Sequence, residues 1–185
     1  MSATFPGTTI EVLKLEKGST RSLFDGIFAT GGITLSQVSI MTGLEPYLIQ
    51  NWVKRGFVTH PIGRVYSREQ FARIIIINML RETLQIERIC TLIHIIGGAP
   101  YDKSDDLISD DELYHRYVDM IAKGNINITD EKSVADAVEF AALDFGVRDS
   151  TAKKQLEDIL KTMLYAHTAS ELRHLSEGIL SALQQ

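Results

Sequence analysis

The sequence predicts an all-α protein whose β-structure is limited to one small wing near the middle of the chain. Four prolines in 185 residues and few alternating β-branched runs leave long stretches free for helices. Capping boxes, in which Ser or Thr is followed three residues later by Gln or Glu, begin at Thr34, Ser67 and Ser109. Each box precedes an apolar stretch of helical period, so each marks the start of a predicted helix.

The composition is that of a globular protein without a membrane segment. Apolar residues make up 44% of the chain and charged residues 23%, which is an ordinary mixture for a protein with a buried core. The single cysteine, Cys90, excludes an internal disulfide and fits a reducing compartment. The first residues lack the pattern of a signal peptide, and the apolar run at 74–77 is too short to span a bilayer. We therefore expect a cytoplasmic protein.

The net charge of −5 is spread unevenly along the chain. Residues 33–98 carry seven Lys or Arg against four Asp or Glu, whereas residues 99–150 carry five against thirteen. The flanking stretches, 1–32 and 151–185, are each neutral. A mildly basic module therefore adjoins an acidic one, which allows phosphate binding on the basic module only.

Eight helical segments are predicted after an ambiguous stretch at 1–18. They lie at about 19–28, 34–42, 46–55, 67–82, 85–96, 109–124, 131–145 and 150–183. The last segment is one helix or two, because a further box at Thr168 could restart it. Residues 99–109 read as an acidic loop, and Gly146 is expected to end the seventh helix.

Two of these segments form a close pair with a turn at Gly43 between them. Pro46 suits the first turn of the second helix, because its missing N–H has no helical partner there. Two short helices around a tight turn are typical of a helix-turn-helix. Residues 57–66 follow as an apolar stretch, a turn and a second apolar stretch, which predicts a small β-hairpin or wing.

The second helix of the pair has a polar side and an apolar side. Ile49 and Val53 are expected to pack it on the core, while amide, hydroxyl and ammonium groups point outward. Such groups suit base edges and phosphates. The candidate DNA-contacting residues are Tyr47, Gln50, Asn51, Lys54 and Arg55 on this helix and His60, Arg64, Tyr66 and Arg68 on or beside the wing.

This region resembles the MerR-type winged helix-turn-helix. Its elements occur in the same order: a Gly-containing turn, a helix ending in KRGFV, an R-x-Y-S wing and two further helices. The stretches TGLEPYLIQNWVKRGFV and YSREQFARIIIINMLRETLQIERI resemble more closely an uncharacterised bacterial family, domain of unknown function 1836. The resemblance implies a MerR-type fold, a regulatory role, dimerisation through a C-terminal helix and wing roles for Arg64 and Tyr66. Gln50, Asn51 and Trp52 stand where MerR proteins usually carry Arg and two aromatic residues.

The remaining reactive side chains are expected to have structural roles. Cys90 lies among isoleucines, which favours a buried, inert thiol. His167 and His174 share a helix face, but a third metal ligand is missing, so we expect two exposed histidines. Aromatic residues such as Tyr114 and Phe140 favour core packing over an effector pocket. The apolar stripe from Leu156 to Leu183 is core, dimer seam or a mixture of both.

Together these patterns predict a DNA-binding transcriptional regulator that forms a homodimer and binds double-stranded DNA. Residues 1–32 are a partly helical N-terminal segment, and residues 33–98 are the winged helix-turn-helix. Residues 99–185 are an acidic linker and a helical region for dimerisation or for a small-molecule or protein effector. The alternative is a protein-interaction module that keeps the fold and has lost DNA binding. No phosphate loop or nucleophile–base motif is evident, so we expect neither an enzyme nor a bound cofactor or metal.

Overall fold

The computed structural model describes residues 3–97, 108–145 and 150–184. Within these ranges the chain is mostly helical, with two small antiparallel sheets of two strands each. The strands are β1 (Ala3–Thr4), β2 (Glu11–Val12), β3 (Ile33–Thr34) and β4 (Val65–Tyr66). The helices are α1 (Ser19–Ile27), α2 (Leu35–Thr42), α3 (Pro46–Lys54), α4 (Arg68–Leu80), α5 (Ile86–Gly97), α6 (Asp110–Ala122), α7 (Glu131–Ala141) and α8 (Ser150–Leu183). No helix in the described ranges combines the length and the apolar character that crossing a membrane requires.

Two of the three predicted capping boxes are confirmed. The Thr34 side chain accepts from the backbone N–H of Gln37, and Ser67 accepts in the same way from Gln70. Ser109 precedes α6 without such a hydrogen bond, so the prediction of a third box was wrong. The Glu112 carboxylate, which in a capping box would accept from the Ser109 backbone N–H, instead accepts two hydrogen bonds of 3.0 Å from the Arg21 guanidinium.

The C-terminal helices differ from the predicted ones in their ends. The predicted seventh helix ends at Ala141 rather than at 145, and the Arg116 guanidinium donates a 2.8 Å hydrogen bond to the Ala141 carbonyl. The last helix is continuous over Ser150–Leu183, so Thr168 does not restart it. Gly146 and most of the predicted acidic loop, at 99–107, lie outside the described residues.

The amino-terminal stretch, ambiguous in the sequence, packs against the body of the protein. β1 and β2 pair as a hairpin, and Phe5 beside them is buried. Gly7 has a φ of 72°, and a Cβ atom there would lie 2.5 Å from the Ile75 carbonyl oxygen. The Thr9 hydroxyl donates a 2.7 Å hydrogen bond to the carbonyl of Ile40, near the end of α2. This segment therefore provides a partner for a carbonyl that the last turn of a helix leaves open.

One continuous apolar core joins the elements, and α4 runs through its centre. Ile74, Ile75, Ile76 and Ile77 are all fully buried, so this helix is apolar on every side over that stretch. From α6, the buried Tyr114 packs into the same core, and its hydroxyl donates a 2.8 Å hydrogen bond to the Pro6 carbonyl. The predicted core role of this tyrosine is confirmed.

The predicted states of the cysteine and the histidines are partly confirmed. Cys90 is buried, and burial raises the pKa of its thiol to about 11, which makes it inert. His174 is exposed as expected. His167 is largely buried because it packs on α6, with its Nδ1 2.7 Å from the Tyr117 hydroxyl, so the expectation of an exposed ring was wrong.

Candidate nucleic-acid interface

The α2–α3 pair holds α3 with one face in the core and the other in solvent. Gly43 ends α2 with a φ of 69°, in the left-handed region that suits glycine. The Ser39 hydroxyl then donates a 2.6 Å hydrogen bond to the carbonyl of buried Leu44, which fixes the turn. The buried residues of α3 are Ile49, Trp52 and Val53, whereas the exposed ones include Tyr47, Gln50, Asn51 and Lys54. The predicted division of α3 into two faces is confirmed.

The wing is smaller than the hairpin predicted over 57–66. Residues 62 and 65 form one bridge, and the two residues between them, Gly63 and Arg64, have φ values of 62° and 68°. Two consecutive residues in this region are the mark of a type I′ turn. β4, which follows the turn, pairs with β3 rather than with residues 57–58. Pro61 has no N–H to donate, so the ladder cannot extend backward through it.

Arg64 occupies a backbone conformation that disfavours its side chain. The left-handed conformation costs a residue with a Cβ atom about 1–2 kcal/mol, which is why glycine or asparagine usually occupies these positions in such turns. Arg64 is exposed and has no hydrogen bond or ion pair within the described ranges to offset this cost. Backbone strain that nothing local offsets points to a function for the side chain.

Gln70 ties the wing to α4. Its Oε1 accepts a 2.8 Å hydrogen bond from the Ser67 backbone N–H, as the capping box requires. Its Nε2 faces three acceptors, the carbonyl and hydroxyl oxygens of Thr59 at 2.9 Å and the His60 carbonyl oxygen at 3.1 Å. The sequence predicted only the capping role, because nothing local to Gln70 indicates contacts made ten residues upstream.

A cleft of about 520 Å³ lies between α3 and the wing. Its apolar lining comes from Leu35, Val53 and Pro61. Five of the nine predicted DNA-contacting residues provide the polar lining: Gln50, Lys54, His60, Arg64 and Tyr66. The fold thus brings together the middle and end of α3 with both sides of the wing turn. Tyr47 and Asn51 lie outside this lining, on the exposed side of α3.

Tyr66 differs from the exposed wing residue that the sequence predicted. Only 3% of its surface is exposed, because β4 pairs with β3 and directs this side chain into the core. Burial raises the pKa of its phenol, so the hydroxyl stays protonated at neutral pH. No hydrogen bond to this hydroxyl is formed within the described part of the chain.

Two of the predicted cations are already paired with carboxylates. Arg55 contacts Glu87 at 2.7 Å and lies over the Phe57 ring, and Arg68 forms an ion pair with Asp25. Among the described residues, Lys54 and Arg64 have no such carboxylate partner. Of the predicted DNA-contacting arginines and lysines, the two without a carboxylate partner in these ranges therefore both line the cleft. In the same ranges, no three His, Cys, Asp or Glu side chains are grouped to hold a metal ion.

The similarity to known proteins covers this region. Residues 33–117 match a family described as a domain of unknown function, DUF1836. Over 81 residues, 42% of the chain, the sequence is 33% identical to the uncharacterized protein YkrK of Bacillus subtilis (strain 168). The chain spans about a third, 35%, of the length of that relative. No solved structure matches the chain. The matched family segment includes α2, α3, the wing and α4, so it contains every residue of the cleft.

Proposed function

We propose that this chain is a DNA-binding transcriptional regulator of the MerR-like winged helix-turn-helix type. The observation that carries the proposal is the position of Lys54 and Arg64, two cations without a carboxylate partner in the described ranges, on either side of one cleft. Phosphates of a nucleic acid are partners that such a pair of cations suits. The protein acts in this proposal by binding, not by catalysis.

α3 acts in this proposal as the recognition helix in the major groove. Gln50 and Asn51 are exposed on it, and a side-chain amide pairs with the N6 and N7 atoms of adenine. Arg64 at the wing turn contacts the backbone, which adds affinity without sequence discrimination. Lys54, in the last turn of α3, is placed for a phosphate of the same site.

A homodimer formed through α8 completes the proposal. All residues from 171 to 184 are exposed, although this part of the helix carries an apolar stripe. The stripe consists of Leu172, Leu175, Ile179, Leu180 and Leu183, each more than half exposed. A second copy would bury it, and a two-fold protein suits a two-fold operator. The first half of α8 packs in the core, so the helix would serve both purposes. An effector at the C-terminal helices and a cytoplasmic location stay predictions.

A protein-interaction module is the second candidate. The ion pairs of Arg55 with Glu87 and of Arg68 with Asp25 bring carboxylates to the edges of the proposed DNA face. Carboxylates repel phosphates, whereas a protein partner can match a surface of mixed sign. Absence of DNA binding by the wild-type chain at physiological salt would favour this candidate.

The first test measures binding of the purified chain to genomic DNA fragments and then to the captured site over a range of salt concentrations. Arg64→Gly relieves the left-handed backbone and removes the guanidinium, so we expect an intact fold and weaker binding to all sequences. The slope of log affinity against log salt should become shallower by about one unit. Arg88→Gln, which removes an exposed arginine of α5, is the control and should leave the slope unchanged.

The second test concerns specificity. Asn51→Ala is expected to reduce the difference in binding free energy between specific and non-specific DNA. The reduction should be about 1–3 kcal/mol if the Asn51 amide pairs with a base. The fold should stay intact because Asn51 is exposed. A lower melting temperature with an unchanged specificity ratio in a competition assay would assign Asn51 a structural role instead.

A further inference from the structure

The cleft has features that a DNA backbone contact does not require. Its walls include the apolar side chains of Leu35, Val53 and Pro61. Tyr66 also lines it, although only 3% of the surface of this residue is exposed. A volume of about 520 Å³ lies within the range of sites that hold small organic molecules. Such sites combine mostly apolar walls with a few polar groups that orient the ligand.

The Tyr66 hydroxyl is the polar group best placed to orient a ligand in the cleft. It is protonated, since burial raises its pKa, and it lines the cleft without a hydrogen-bond partner in the described part of the chain. Buried hydroxyls are nearly always hydrogen-bonded, because removing one from water without a partner is costly. Part of the Tyr66 hydroxyl is still reachable from the cleft, so it can donate to water or to a ligand there. It is therefore left free to donate to a molecule in the cleft.

Charge decides the class of that molecule. Lys54 and Arg64 both line the cleft and have no carboxylate partner within the described ranges, whereas the neighbouring Arg55 and Arg68 are paired with carboxylates. An anion would pair with both cations, and an apolar body would contact the Leu35, Val53 and Pro61 side chains. A neutral ligand would form no ion pair with the two cations. A bare inorganic anion would make no contact with the apolar walls of the cleft.

We infer that the cleft binds a small organic anion with an apolar body and that this ligand competes with DNA for Lys54 and Arg64. The competition rests on the proposed DNA-binding function, whereas the ligand site itself rests on the cleft alone. A regulator built this way releases DNA by direct displacement, because the same two cations hold either the ligand or the backbone.

The probe for the site is anilinonaphthalene sulfonate, an aromatic anion whose fluorescence rises when it leaves water. We expect binding that weakens roughly three- to tenfold in Lys54→Gln and in Tyr66→Phe, as loss of one partly exposed hydrogen bond to an anion implies. Tyr66→Phe keeps the buried ring, and Lys54 is exposed, so both variants should fold. Lys154→Gln makes the same charge change on an exposed part of α8 and should bind the probe as the wild type does. The uncharged analogue phenylnaphthylamine should bind the wild type and Lys54→Gln with the same affinity.

Displacement by duplex DNA separates the two proposals. A duplex that the wild type binds should displace the probe from the Lys54-sensitive site. Probe binding that is unchanged in both Lys54→Gln and Tyr66→Phe overturns the ligand site, even where DNA binding is observed. A Lys54-sensitive probe site in a protein that binds no DNA supports the ligand site and refutes the proposed function. DNA and probe bound together without displacement refute the competition.

Discussion

Replacing Gln70 by glutamate is expected to loosen the wing while the cap of α4 stays in place. The Oε1 of Gln70 accepts from the Ser67 N–H, and a glutamate oxygen accepts there equally well. The Nε2 atom, in contrast, donates to Thr59 and His60 at the base of the wing. A carboxylate has no hydrogen to donate, so the two carbonyl oxygens lose their donor, whereas the Thr59 hydroxyl can turn and donate to the carboxylate.

The magnitude follows from the number of donors. Nε2 has two hydrogens for its three acceptors, and in the variant the Thr59 and His60 carbonyl oxygens are left without this donor, which costs about 1–3 kcal/mol for an acceptor that loses its partner. We therefore expect opening of the wing to become easier by about 1–3 kcal/mol, which is roughly a five- to 150-fold change in its equilibrium constant. DNA binding should weaken in proportion to the fraction of molecules whose wing is open.

Gln37→Glu is the matched control. Gln37 occupies the same capping position in α2, and its Oε1 accepts from the Thr34 backbone N–H at 2.8 Å. Its Nε2 has no acceptor within the described ranges, so the substitution changes the same charge without breaking a comparable contact. We expect the free energy of unfolding of this variant to stay close to that of the wild type.

Amide hydrogen exchange and DNA binding together test the reasoning. The Val65 N–H, which donates to the Ile62 carbonyl at 3.2 Å across the wing turn, should exchange faster in Gln70→Glu than in Gln37→Glu. Affinity for DNA, measured by fluorescence anisotropy, should fall further in the same variant. Equal exchange at Val65 in the two variants would show that Gln70 does not hold the wing.

Three further predictions concern the rest of the fold. Gly7→Ala is expected to lower the free energy of unfolding by roughly 2–4 kcal/mol in urea titrations, because the new Cβ adds left-handed strain and overlaps the Ile75 carbonyl oxygen. Burial lowers the pKa of His115 and of His167 below the value of about 6.5 that a histidine has in the unfolded chain. The free energy of unfolding should therefore have its full value above about pH 6.5 and decrease as the pH falls below it, because the unfolded chain then binds more protons. Urea titrations at several pH values check this, and His115→Gln should flatten the dependence; an increase in stability toward acidic pH would contradict it. Leu175→Glu should convert a homodimer into a monomer in sedimentation experiments with little loss of monomer stability, since this side chain is 65% exposed; a wild-type chain that sediments as a monomer would refute the role assigned to α8.

The sequence by itself determined the helices and the order in which they occur. Capping residues, glycines and apolar spacing act over three to eight neighbouring residues, so Thr34, Ser67 and Gly43 mark their boundaries directly in the chain. The two faces of α3 also follow from spacing alone, because residues three and four apart share a side of any helix. At Ser109 the predicted box does not form, and the Glu112 carboxylate pairs instead with Arg21, which lies 91 residues away in the chain.

Only the tertiary structure decided which side chains line the cleft and which charges remain for a ligand. Arg55 and Arg68 look like Lys54 and Arg64 in the sequence, but their partners Glu87 and Asp25 come from distant elements. Tyr66 is buried because β4 pairs with β3, which lies more than thirty residues upstream. Pairing, burial and charge compensation depend on contacts that close long loops of chain, and no local pattern records which loops will close.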